Sequence, residues 1–162
     1  AGGSAWEYSA MSKAADKCPS GVPFELGRIL IEALRADPGL AGVTVLDNPE
    51  RASALVDGER LVFLEEQRDV PLDDPGQVQK RIYHFSVGVI ARSESARLQA
   101  HGDYRLVKRI LRNDCMKLIT DAGIRLDGKG LQEGEVRYRL ENIDVGGSLV
   151  LGAFSIDYRD PS

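Results

Sequence analysis

The sequence predicts an α+β domain: a mostly antiparallel sheet with two main helices packed on one face, preceded by a flexible N-terminal arm. Three observations carry this expectation. Two stretches place apolar residues at helical spacing, and several others alternate apolar and polar residues with a period of two. The alternating stretches are linked mostly by turn signals rather than by helices, which favours antiparallel neighbours. A chain of 162 residues is most simply one domain with an appendage, so residues 1–20 are read as the arm and 21–162 as the domain.

The elements follow in order. Residues 1–20 are small and polar except for Trp6 and Tyr8. Exposed aromatics are costly to leave idle, so these two mark the arm as a docking segment; a disordered terminus is the alternative. From Ser20 to Leu40 the chain reads as a helix. Pro23 suits its first turn, and Phe24, Ile29, Leu30, Ala33 and Leu34 form its stripe. Pro38 and Gly39 end it. "GVTVLDN" is a short strand stopped at Asn48-Pro49, and Asp57-Gly58 signals a hairpin between Ala54–Val56 and Leu61–Leu64. "RDVPLDDPGQVQK", residues 68–80, reads as a long loop, a protruding β-arm or intersubunit finger, with a disordered surface loop as the alternative.

"KRIYHFSVGVIARS" is the longest strand. Tyr83, Phe85, Val87, Val89 and Ala91 share one face; His84, Ser86 and Gly88 share the other. A second helix occupies 95–123, with Tyr104, Val107, Leu111, Cys115 and Leu118 as its stripe, Ile110 and Ile119 widening it, and Gly123 as its stop. Gly102 interrupts its first part, which makes Asp103 a candidate N-cap. "GIRLDGKGLQEG" reads as a loop or short strand. Two final strands follow, joined by a turn near 144–148. In the first, Val136, Tyr138 and Leu140 alternate with charged residues. The second begins apolar on both faces and ends amphipathic, with Val150, Phe154, Ile156 and Tyr158 on one side.

Composition excludes several classes. The apolar share is 43%, yet no apolar run approaches the ~20 residues that span a bilayer, so no membrane partner is expected. The start at Ala1 fits removal of an initiator Met, and the first residues do not follow the plan of a secretory signal. The formal net charge of −4 argues against wrapping a phosphate backbone, although it leaves room for a local basic patch. Cys18 and Cys115 lie far apart without metal-ligand spacing and read as free thiols, with Cys115 in the core. Cys18, in the polar leader, is a candidate for contact or crosslinking with a neighbouring chain.

Catalytic signatures are missing. The two histidines, His84 and His101, have no metal-ligand spacing. "DGKG" at 127–130 is half a phosphate loop, but no Ser or Thr follows Lys129. Glu65 and Glu66 are adjacent on a strand and so face opposite ways, a poor acid–base pair. No catalytic residue, metal or cofactor is assigned, and no enzyme activity is expected.

Four segments carry a resemblance: "LRADPGLAGVTVLDN" closing the first helix, the strand "RIYHFSVGVIARS", the helix "HGDYRLVKRILRNDCMKLI" and the terminal "ENIDVGGSLVLGAFSIDYR". Together, over about residues 22–159, they resemble the tail terminator (tail completion) proteins of tailed bacteriophages. The resemblance lies in element order and local flavour, and omits the arm and the 68–80 loop. It implies a structural virion protein, assembled in the host cytoplasm. Such proteins form a hexameric ring at the head-proximal end of the tail, end tube polymerisation and join tail to head. Tail tube and head–tail connector proteins would be its partners, and DNA would be passing cargo in the channel. Within that reading Val70, Leu72 and Val78 are candidate apolar anchors, and Asp73 and Asp74 polar ones, for intersubunit or tube contacts. Trp6, Tyr8 and Cys18 are the candidate arm contacts. The competing readings are another connector or tube component, or a non-phage oligomeric module that binds a small ligand between sheet and helices.

Overall fold

The computed structural model describes residues 18–49, 60–72, 78–140 and 147–161. The first apolar stripe forms helix α1, Val22–Ala36, entered through Gly21 at φ 93° with Pro23 in its first turn. A 3₁₀ turn, Pro38–Leu40, follows, and the Asp37 side chain accepts the Gly39 N–H. Leu26, Ile29, Leu30, Ala33 and Leu34 are buried. Phe24 is not: it is 56% exposed. It stands two residues from Leu26, about 200° around the helix, and so belongs to the opposite side.

Five strands make one sheet in the order β1-β2-β3-β5-β4. They are β1 Thr44–Asp47, β2 Arg60–Pro71, β3 Gln79–Ala91, β4 Arg125–Leu140 and β5 Ser148–Asp160. The β1–β2 pair is parallel and the other three are antiparallel. The predicted hairpin partner of Leu61–Leu64, Ala54–Val56, lies outside the described residues; the described neighbours of that run are β1 and β3. Asn48 ends β1 in the left-handed region at φ 45°. Its own N–H bonds the Leu64 carbonyl, while its Oδ1 accepts the Glu66 N–H at 2.6 Å. That side chain satisfies β2 where β1 stops.

The second helix starts earlier than the Gly102 break suggests. α2 spans Ala96–Ile110, so Asp103 is no N-cap but a buried residue inside the helix. Its carboxylate accepts from the Arg60 guanidinium at 2.7 and 3.0 Å and from Gln99 Nε2 at 3.1 Å. A polar residue can occupy the helix interior because β2 supplies the cation. Leu111–Cys115 is π-helical and leads into α3, Met116–Asp121. The π segment corrects the expected stripe. From Val107 an ideal α-helix returns to the same face after eleven residues, at Leu118. One surplus residue shifts that return to twelve. Ile119 is fully buried and Leu118 is 44% exposed. Gly123, at φ 85°, closes the run: its N–H bonds Thr120, and the Ile124 N–H bonds Ile119.

Both helices cover one face of the sheet. The main core there joins Leu26, Leu30 and Leu34 of α1 and Val107, Leu111 and Cys115 of the second helix to Tyr83, Phe85, Val87, Phe154 and Ile156. Tyr83, Phe85 and Phe154 stack in sequence at centroid distances of 5.5 and 5.6 Å. The opposite face carries a smaller cluster of Leu61, Phe63 and Ile90, with Leu46, Leu149 and Leu151 against it. This explains why β5 begins apolar on both faces.

The segment read as a loop or short strand, 123–134, is mostly β4, with register irregularities between Leu126 and Leu131 and between Glu133 and Val136. β4 is an edge strand, and the expected half-buried alternation is weak: Val136 is half-buried but Tyr138 is exposed, stacked on His101 at 5.0 Å. The turn near 144–148 lies largely outside the described residues.

Gly88 sits opposite Phe63 in the β2–β3 register, and a Cβ there would stand 2.0 Å from the ring. A mid-strand glycine costs roughly 0.5–1 kcal/mol. Burying a Phe is worth about 2–3 kcal/mol, so the exchange favours the glycine. Gly88→Ala should destabilise the fold by about 1–3 kcal/mol in denaturant unfolding. Phe63→Leu in the same chain should recover part of that loss, and strictly additive losses would show that the ring is not what requires the glycine.

Candidate functional site

Three tyrosines point from the core to its rim, and each hydroxyl meets a carboxylate. Tyr83 donates to Glu66 Oε1 at 2.9 Å, and Tyr104 donates to Glu133 Oε2 at 2.7 Å. The Tyr158 hydroxyl lies 2.9 Å from both Asp69 oxygens. Burial first, and then the neighbouring carboxylate, pushes all three phenols far above their ordinary range. They are neutral donors at any physiological pH.

These contacts fix the predicted 68–80 segment, whose form differs from expectation. Most of it is not loop. β2 runs to Pro71 and β3 begins at Gln79, with Asp69↔Tyr83, Val70↔Ile82 and Pro71↔Arg81 in register. β5 continues alongside, pairing Tyr158 with Arg81 and Asp160 with Gln79. Pro71 is admissible because β1 pairs β2 only as far as Leu64; beyond it, among the described residues, β2 is an edge. Toward the far end of this extended hairpin, Arg81 Nε donates to Asp69 at 2.6 Å, beside the Tyr158 hydroxyl. The Leu72 N–H still bonds the Lys80 carbonyl at 2.8 Å. Residues 73–77 lie outside the described residues.

The candidate contacts distribute as follows. Val70 and Val78 are half-buried and Leu72 is 38% exposed near the hairpin end. Asp73 and Asp74, and likewise Trp6 and Tyr8, lie outside the described residues. Cys18 is half-buried against the main core, and its carbonyl accepts the Gly21 N–H at 2.8 Å. Cys115 is fully buried, and burial pushes its thiol up to about 12. His84 faces away from the helices. Burial, and secondarily the Arg68 charge, lowers its pKa, so it is neutral at pH 7.

Sequence reasoning missed a shallow cleft between α1 and the ends of β1 and β2, lined by Phe24, Gly27, Arg28, Asp47, Asn48 and Glu66. Phe24 had been placed in the core, which concealed it. Among the described residues no group of three His, Cys, Asp or Glu converges as for a metal ion, and no helix is long and apolar enough to cross a membrane.

No protein-family model matches the chain, and no curated protein matches it. A solved structure does. The fold is shared with a chain of the "Virion of native gene transfer agent (GTA) particle". The likeness has a TM-score of 0.51 at 15% identity and covers 87% of this chain and 96% of that one. At that identity it is a likeness of fold.

The rim also makes an acid-sensitive link. Glu133 accepts from Lys108 Nζ at 2.9 Å as well as from Tyr104. Burial alone would raise this carboxyl, but the Lys108 and Tyr104 hydrogen bonds outweigh it and hold the pKa below the ordinary value. The resulting stability is present above the usual carboxylate range of about 4–4.5 and is lost as pH falls through the folded value. Glu133→Gln should therefore cost about 1–2 kcal/mol at neutral pH. In urea unfolding the gap to the wild-type chain should close as pH falls below the ordinary carboxylate range and the carboxyl protonates. A gap independent of pH would show that the carboxylate charge plays no part.

Proposed function

We propose that this chain is a structural virion protein that forms a ring at the head-proximal end of a phage tail, ends polymerisation of the tail tube and joins tail to head. The observation that carries the reading is the fold likeness: nearly the whole of a chain from a virion particle superposes on this one. The order of elements supports it, since the segments that resemble tail terminators form α1–β1, β3, the second helix and β5. A hexameric ring, a tail tube protein and head–tail connector proteins as partners, and DNA as cargo in the channel belong to the same proposal. It assigns the chain no catalytic step. The extended hairpin supports an assembly role. Its far end is held by Asp69, Arg81 and Tyr158, and Leu72 beside them faces solvent.

Leu72→Glu combined with Val78→Glu should leave a folded chain, because neither residue belongs to the core clusters. Circular dichroism should be unchanged. Electron microscopy of particles assembled with this variant should show tails of uncontrolled length and heads without tails. Normal tails in particles that lack the chain altogether would overturn the reading. Antibody labelling along the tube, rather than at its junction with the head, would make the chain a tube component instead.

A further inference from the structure

The second helix carries a cation cluster that neither the fold nor the ring reading uses. Arg105, Lys108, Arg109 and Arg112 stand at mutual spacings of three and four residues, so they share one solvent-facing side. Like charges at these spacings repel, each pair by a few tenths of a kcal/mol. Lys108 is compensated by Glu133. Arg105, Arg109 and Arg112 form no ion pair among the described residues; of the nearest acids in sequence, Asp103 is engaged by Arg60, and Asp114 is exposed and not bonded to them. The chain is acidic overall, at −4, so this is a local concentration and not a general surplus.

The shape of the surface reinforces the charge. The four cations and Asn113 line one shallow depression. Arg112 also lines a second, with Met116 and the Gly128-Lys129-Gly130 turn of β4. Gly128 and Gly130 take positive φ, 54° and 66°, on either side of Lys129, which is exposed. Asp127, beside them, is already engaged by Lys80 and Arg159. The π segment begins at Leu111, where the two depressions meet, and π segments inside helices recur at functional sites. The result is a basic track from Arg105 through Arg112 to Lys129.

We infer that this track binds the phosphate backbone of nucleic acid, without reading its sequence. Three of its cations are arginines, whose planar guanidinium groups match phosphate bidentately. A backbone presents an anion at every nucleotide, so a row of cations spread over about 10 Å of helix finds partners in any sliding position. No aromatic side chain lines either depression, so the track offers no platform for stacking bases. The inference is independent of the ring: it concerns what the outer side of the second helix touches, whatever the assembly.

The test is fluorescence anisotropy of the full chain with a labelled duplex of about 30 base pairs and arbitrary sequence. With four phosphate contacts, from Arg105, Arg109, Arg112 and Lys129, Lys108 being held by Glu133, log K should fall against log salt with a slope near −3.6, about 150-fold between 50 and 200 mM. The variant Arg105→Gln/Arg109→Gln/Arg112→Gln should bind at least tenfold more weakly at about 50 mM salt, with its slope reduced to about −0.9. Arg137→Gln/Arg139→Gln, on β4, removes charge elsewhere and should leave both values unchanged. Replacing the three arginines by lysine keeps the charge and should keep most of the slope, which guards against misfolding of the glutamine variant. Equal binding by the glutamine variant, or no duplex binding even at about 25 mM salt, overturns the inference. Displacement of the duplex by an equal charge of poly-glutamate would also overturn it, and would assign the track to an acidic protein partner.

Discussion

The unbroken antiparallel register between β3 and β5 is the constraint on which the rest of the structure depends. It runs from Gln79↔Asp160 to Ala91↔Ser148 without a shift. A slip of one residue would turn Tyr83, Phe85, Val87 and Val89 from the helices to the opposite face, away from Phe154 and Ile156, which share their face now. The aromatic stack crosses this seam: Phe85 meets Phe154 on the partner strand, and Phe154 meets Tyr104 from the helix above. Sheet alignment and helix placement are thus set by the same side chains. Gly152 completes the arrangement, since a Cβ there would stand 2.2 Å from the Tyr104 hydroxyl. The absent side chain lets the ring descend onto the sheet and present its hydroxyl to Glu133.

The same seam governs what the hairpin can do. β5 accompanies β3 to its first residue, so the hairpin is a three-stranded projection and not a free two-stranded ribbon, which would be marginal in water. Its far end is held by a carboxylate that serves an arginine and a buried phenol together.

Much of the architecture was legible in the sequence because it depends on period. The alternation at Tyr83–Ala91 and Val150–Tyr158 and the stripe at Ile29–Leu34 each name the buried face directly, although Phe24, read into the same stripe, is exposed. What was illegible depends on geometry that no period encodes. Leu118 was misplaced because a π turn adds a residue without leaving a signal in composition. Asp103 looked like a cap because the cation that accepts it, Arg60, is 43 residues away. The parallel β1–β2 pair and the length of β4 escaped for a related reason: edge strands are satisfied by backbone and solvent, so their side chains need not alternate cleanly. The strand ends around 68–80 were legible as a place, through the prolines and the apolar residues. Their form was not, because Pro71 reads as a breaker unless one knows that its strand has no outer partner there. The cation track is visible in "YRLVKRILRN" as a helical row of like charge, but the pairing of Lys108 with Glu133 is a tertiary fact.

The π segment has a consequence for descent. Twelve residues from Val107 to Ile119 do the work that eleven do in a regular helix, so Leu111–Cys115 contains one surplus position. A chain that never acquired it would keep both ends of the helix in phase and be one residue shorter. The natural place for a one-residue gap between this chain and its relations is therefore the middle of a buried helix, where alignment schemes penalise gaps most heavily. A comparison that refuses the gap sets every residue from Met116 to Asp121 one step out of phase. It would pair the exposed Leu118 with positions that are core in the relation, and the kinship of the two helices would be hidden at the segment where they touch the same core.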